Sequence, residues 1–191
     1  KSNLIVVTKN RSYETILPII QSGHLHFGEN KVQEAKEKWS NFLHNHKDLK
    51  LHLIGKLQSN KAKDAFALFD FIHTLDNEKL AKIFSGLEKS LEKNLKYFIQ
   101  VNIGNERQKN GIEISLLADF VNFCRNDLTL NIIGLMCIPP FNLDPLPFFE
   151  KMQKLNIDNN LSELSMGMSS DYMQALVCGS TYLRIGSAIF K

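Results

Sequence analysis

Short apolar runs alternate along this chain with longer segments whose apolar residues recur every three or four positions. The runs read as strands over 4–8, 24–28, 51–55, 71–74, 97–102, 132–136, 163–167 and 183–186. The segments between them predict helices near 13–22, 30–44, 59–69, 77–94, 114–125, 144–154 and 171–178. The helix near 77–94 shows the pattern well. Leu80, Ile83, Phe84, Leu87 and Leu91 fall on one face, and Glu78, Lys79, Lys82, Glu88, Lys89, Glu92 and Lys93 populate the other sides.

Eight strands alternating with seven helices point to parallel β/α architecture. A closed barrel and an open doubly wound sheet compete. The absence of an extra antiparallel strand favours the barrel. No Gly-x-Gly-x-x-Gly follows the first strand, which weakens the dinucleotide-binding alternative. The expected fold is therefore an α/β single-domain (β/α)8 TIM-type barrel spanning residues 1–191. The chain enters the strand Leu4-Ile5-Val6-Val7 almost at once. An N-terminal segment is expected to be missing, and with it the N-terminal outer helix of the barrel.

Composition narrows the function classes. The net charge of +3 comes from 23 basic and 20 acidic residues that are scattered, which argues against a nucleic-acid binder. Three widely spaced cysteines, Cys124, Cys137 and Cys178, suit reduced thiols in a cytoplasmic protein better than disulfides or zinc. No apolar run reaches membrane-spanning length, and no signal peptide opens the chain.

In a barrel, chemistry lies at the carboxyl ends of the strands. Those ends carry Thr8-Lys9, Gly28-Glu29-Asn30, Gly55 to Lys61, Asn102, Met136, Met168-Ser169 and Gly186-Ser187, a polar rim rich in Gly, Ser and Asn. The last two strands each end in a Gly/Ser turn, and two such turns side by side can aim several N–H groups and hydroxyls at a phosphate. Lys9 shares a strand face with Ile5 and Val7. If that face points inward, desolvation would favour the neutral, nucleophilic amine that makes an imine with an aldehyde. A solvated lysine at a strand end is the plainer account. Arg184, within a strand of buried type, needs a partner, either a ligand nitrogen or phosphate or an internal carboxylate such as Glu29. Asn30 could cap the helix that follows by accepting from Gln33, or present its amide to a ligand. His24 and His26 share a strand face, and His44 and His46 recur near a helix end, but neither pair has a Cys or carboxylate at metal-ligand spacing. Cys137 has no adjacent base, and Ser169 and Ser187 lack a nucleophile-elbow context. The lysines at 61 and 63 read as a solvated first helical turn.

These residues resemble a known family. Val7-Thr8-Lys9, Phe27-Gly28-Glu29-Asn30, the stretch His52 to Lys61, Gly134-Leu135-Met136, Leu164 to Ser169 and Arg184 to Phe190 match, in order, the pyridoxal phosphate homeostasis proteins, also called the YggS or PROSC family. Their barrel is similar to the N-terminal domain of alanine racemase. The resemblance implies a protein that binds pyridoxal 5′-phosphate (PLP) and buffers or delivers it. Lys9 would hold the cofactor as a Schiff base, and Arg184 would face the pyridine nitrogen. Ser169, Gly186 and Ser187, with Ser165, would hold the phosphate, and Asn30 would lie beside the ring. Apo-PLP enzymes would be the recipients, and monomer is the default state. An arginine at the ring nitrogen leaves that nitrogen unprotonated, so the ring is a weak electron sink. Racemisation also needs a second acid/base group, which alanine racemases take from a second domain and a partner subunit. A carrier, not an enzyme, is therefore expected. A weak amino-acid racemase and a PLP-gated interaction module are the alternatives. Lys56 departs from the family pattern, where many members have His, and Lys109 stands where members tend to carry a lysine that could be a secondary contact for PLP.

Overall fold

The computed structural model describes residues 2–43, 46–106 and 108–190. Eight strands, β1 (Asn3–Val7), β2 (His26–Glu29), β3 (Lys50–Leu53), β4 (Phe71–Leu75), β5 (Lys96–Gln100), β6 (Ile132–Met136), β7 (Glu163–Ser165) and β8 (Tyr182–Ile185), form one closed barrel in sequence order. All neighbours pair in parallel. Among the described residues seven α-helices lie in the crossovers: α1 (Tyr13–Gln21), α2 (Val32–Leu43), α3 (Ala62–Leu68), α4 (Glu78–Leu91), α5 (Leu117–Asn122), α6 (Leu146–Asp158) and α7 (Tyr172–Val177). This is the predicted TIM-type barrel. Lys1, Lys191 and His44, which fell within expected elements or bounds, lie outside the described residues. No described helix is long and apolar enough to cross a membrane.

The apolar runs carried the strand signal because both faces of a parallel barrel strand are covered. In β4 all five residues are buried. One face of the strands packs against the helices through Val6, Phe27, Leu51, Leu53, Ile72, Ile99, Leu135, Leu164 and Leu183, the larger core. The other face points into the barrel, where Ile5, Phe71, Phe98, Met136 and Tyr182 form a second, smaller core. At the carboxyl end the interior opens to polar and apolar side chains together, among them Arg184 and Val7.

Ends moved by a few residues. The runs expected to reach 55, 102 and 167 stop at Leu53, Gln100 and Ser165, because the residues beyond turn out of the ladder into loops. The helix expected from residue 30 begins at Val32. The one expected over 114–125 is a 3-10 turn, then α5, then a π turn over Phe123–Asp127. On α4, Leu80 and Phe84 are buried, and Ile83 and Leu87 pack against the core. Leu91 is 54% exposed, since the chain leaves the helix at Glu92 in a left-handed conformation (φ 50°).

Closure sets the site. β1 pairs with β8, placing Ile5 beside Arg184 and Val6 beside Ile185. The first and last strands thus bring Lys9 and the C-terminal turn to the same end of the barrel.

Candidate functional site

At that end lies a cavity of about 420 Å³. It is lined by Val7, Lys9, Asn30, Ile54, Ile138, Met168, Ser169, Ser170, Arg184, Gly186 and Ser187. Lys9, Asn30, Ser169, Arg184, Gly186 and Ser187, singled out from the sequence, therefore converge on one space. Of the apolar walls, Val7, Ile54 and Met168 fall within the matched motifs, whereas Ile138 carries no sequence signal.

Lys9 follows β1 and is exposed at the rim. The desolvated setting imagined for its ammonium group is absent here. What fixes its position is the backbone beneath it. Glu29, fully buried on the outward face of β2, accepts from Thr8 Oγ1 at 2.6 Å, Trp39 Nε1 at 2.9 Å and Lys38 Nζ at 2.9 Å. Lys38 Nζ also donates to the Thr8 carbonyl at 2.7 Å. A buried carboxylate and a lysine that is 9% exposed thus clamp the residue preceding Lys9. Truncating Lys38 would leave the Glu29 charge buried and unpaired, whereas Lys38 also pairs with Glu34 at 3.2 Å. The sequence offered a signal for this clamp: a Glu ending a buried strand and a Lys one helix later.

Arg184 does not pair with Glu29. It sits on the inward face of β8, is 4% exposed, and forms no ion pair among the described residues. Its Nη1 donates to Ser165 Oγ at 2.7 Å and its Nη2 to the Cys137 carbonyl at 2.9 Å. Burial lowers its pKa, against the opposing pull of Cys137 and Asp171. A guanidinium so placed, with an edge on the cavity, is a preformed donor for a lone pair or anion. Ser165, expected among phosphate contacts, does not line the cavity. The pleat of β7 turns it inward and it is fully buried beneath Arg184, bonded also to His73 Nδ1 at 2.8 Å.

The turns after β7 and β8 supply the anion-facing groups. Gly167 adopts φ +92°, and a Cβ there would lie 2.6 Å from that of Ala175, so this turn requires glycine. Met168 N–H is taken by Asp171 Oδ1 and Ala188 N–H by Ser169 Oγ at 3.3 Å. Among the described residues, the N–H groups of Ser169, Ser170 and Ser187 donate to no protein acceptor.

Asn30 lines the opposite wall, one residue too early to cap α2, which begins at Val32. Its backbone is crossed closely by Gly55, where a Cβ would meet the Asn30 carbonyl, so the β3 loop needs glycine to pass. Cys137 is buried, and that burial pushes its thiol up to about 12, an inert setting. Lys109 stands outside this cavity, paired with Glu106 at 2.6 Å, on a neighbouring pocket that shares Ile138, Met168 and Ser170 with it. Lys56 is exposed and lines neither.

The family model described as "Alanine racemase, N-terminal domain" matches residues 1–191. A pyridoxal phosphate homeostasis protein of Pasteurella multocida is 37% identical over 197 residues, covering 98% of this chain and 84% of the relative. The structure of PipY from Synechococcus elongatus, solved with PLP bound, superposes with a TM-score of 0.92 at 34% identity, covering 100% of this chain and 92% of PipY. An alanine racemase of Clostridium difficile, 11% identical, shares the fold alone: its TM-score is 0.80 over 99% of this chain and 52% of its own.

Proposed function

This chain belongs to the alanine racemase N-terminal domain family, and on that footing we propose that it is a PLP-binding protein of intracellular vitamin B6 homeostasis. The carrying observation is the convergence, in one cavity, of a lysine amine, a buried guanidinium with no ion pair among the described residues, and N–H groups without acceptors. That donor set fits PLP. The cofactor supplies an aldehyde that condenses reversibly with an amine, releasing water.

Lys9, held through Thr8 by Glu29 and Lys38, offers the amine at the rim. Arg184 aims N–H donors at the cavity and keeps its own proton, which suits a pyridine nitrogen left unprotonated. Ser169, Ser170 and Ser187 offer N–H groups and hydroxyls suited to phosphate oxygens, with Gly186 leaving the approach open. Asn30 and the apolar side chains of Val7, Ile54, Ile138 and Met168 bracket the space for a flat ring. An arginine at the ring nitrogen provides no proton to stabilise a carbanion, which supports holding and hand-over to apo-enzymes over catalysis. A monomer in the cytoplasm is the setting we propose for that role.

Titrating the PLP-free protein with PLP tests this reading. A saturable visible band, distinct from that of free PLP and of PLP with bulk lysine, is expected. A spectrum that matches free PLP throughout would overturn it.

A further inference from the structure

Below Arg184 the barrel interior holds three histidines in single file, a feature the cavity does not use directly. His26 Nδ1 lies 2.9 Å from His52 Nε2, and His52 Nδ1 lies 2.9 Å from His73 Nε2. His73 Nδ1 lies 2.8 Å from Ser165 Oγ, which accepts from Arg184. The file connects the cavity at the carboxyl end with a second one, of about 450 Å³, at the opposite end of the barrel, which His26 lines. His52 and His73 are fully buried, stacked on Phe71 and Phe98 at centroid distances of 4.1 and 4.3 Å.

The sense of every hydrogen bond in this file follows from one fact. A guanidinium only donates. Ser165 Oγ must therefore accept from Arg184, and its own hydrogen has one acceptor among the described residues, His73 Nδ1. His73 then carries its proton on Nε2 and donates to His52 Nδ1. His52 carries its proton on Nε2 and donates to His26 Nδ1. All three rings are neutral Nε2–H tautomers. Reversing the file would leave the Ser165 hydroxyl hydrogen buried without an acceptor, which is costly in a dry interior.

We propose that Ser165, His73, His52 and His26 are positioning residues for Arg184, a one-directional hydrogen-bond file that holds its guanidinium at the cavity floor. The role in cofactor binding rests on the PLP reading above; the tautomers do not. Burial first, and nearby charge after it, favours neutral rings, with Asp70 alone opposing at His26. His26 faces His24, Lys50, Asp70 and Lys96, with His52 above it. His52 faces His73, His26, His24 and Lys96, and His73 faces Arg184. A proton added to His26 Nδ1 would turn that atom from acceptor to donor and force the reversal. Acid should therefore loosen Arg184 from below.

Two measurements test this. Long-range proton–nitrogen NMR of the PLP-free protein, labelled with nitrogen-15 at histidine, reads the tautomers directly. Neutral Nε2–H rings at His26, His52 and His73 at neutral pH are expected; an Nδ1–H ring or a charged ring at any of the three overturns the proposal. Ser165→Ala and His73→Leu should each weaken PLP binding about tenfold and move the visible band's pH profile. His73→Asn, whose amide oxygen can accept from Ser165, should restore both in part. Should His73→Leu fail to fold, Ser165→Ala, which removes one oxygen atom, still decides the matter. Unchanged affinity and an unchanged profile in Ser165→Ala would overturn the role. Failure of wild-type protein to bind PLP would overturn the PLP reading, and the positioning role with it, whatever the tautomers.

Discussion

Arg184 carries a permanent charge into the barrel, and the groups that hydrogen-bond it are uncharged. The Ser165 hydroxyl and the Cys137 carbonyl hold two of its N–H groups, and the cavity takes its edge. This explains why the file below it stays uncharged. Burial is the first cause that holds His52 and His73 well below the ordinary histidine value, and for His73 the Arg184 charge is the second. The consequence for stability has a definite sign. In the unfolded chain these rings protonate as pH falls through about 6.5, while the folded state resists. Stability is complete above that pH and declines below it, by up to about 1.4 kcal/mol per pH unit for each ring. Urea midpoints at pH 7.5, 6.0 and 5.0 should fall in that order. A flat series would contradict neutral buried rings.

At the scale of elements, the site depends on strand ends and the turns after them, and the helices serve as their supports. α2 carries Lys38 and Trp39 to the Glu29 carboxylate and so fixes the end of β1. α4 is anchored more simply. Asn77 caps it, with its side-chain oxygen accepting from Leu80 N–H at 3.0 Å. Asn77→Ala should cost about 1 kcal/mol in urea unfolding without altering the PLP band, because α4 contributes no residue to the cavity. A changed spectrum in this variant would mean that the cavity and α4 are coupled through the barrel. The helix positions were legible as amphipathic periods, but their ends were not. The period continued through Leu91, whereas the left-handed Glu92 let that residue leave the core.

For the whole molecule, ring closure is the organising fact. The order of apolar runs implied eight parallel strands, and closure then implied that residues 9 and 184 would be brought to one place; both line the same cavity. The histidine file was not legible, for a reason of geometry. His26, His52 and His73 come from three strands and have no common spacing. In register His52 lies level with Gly28, and with Phe71 on its other side. Each next histidine thus sits two residues higher, and only the barrel's stagger aligns them. Ser165 lies apart from Ser169 for a similar reason. Its Gly/Ser-rich setting looked like one anion cradle, but the pleat divides it, turning Ser165 down to Arg184 while Ser169 reaches the cavity. The central claim is that the first and last strands together form one PLP site with Lys9 as its amine. Borohydride reduction of the PLP-loaded protein, followed by peptide mapping in a mass spectrometer, tests it most directly. A single phosphopyridoxyl label on Lys9, absent from Lys9→Ala, is the expected result. A label spread over surface lysines, or a wild-type level of labelling in Lys9→Ala, would contradict it.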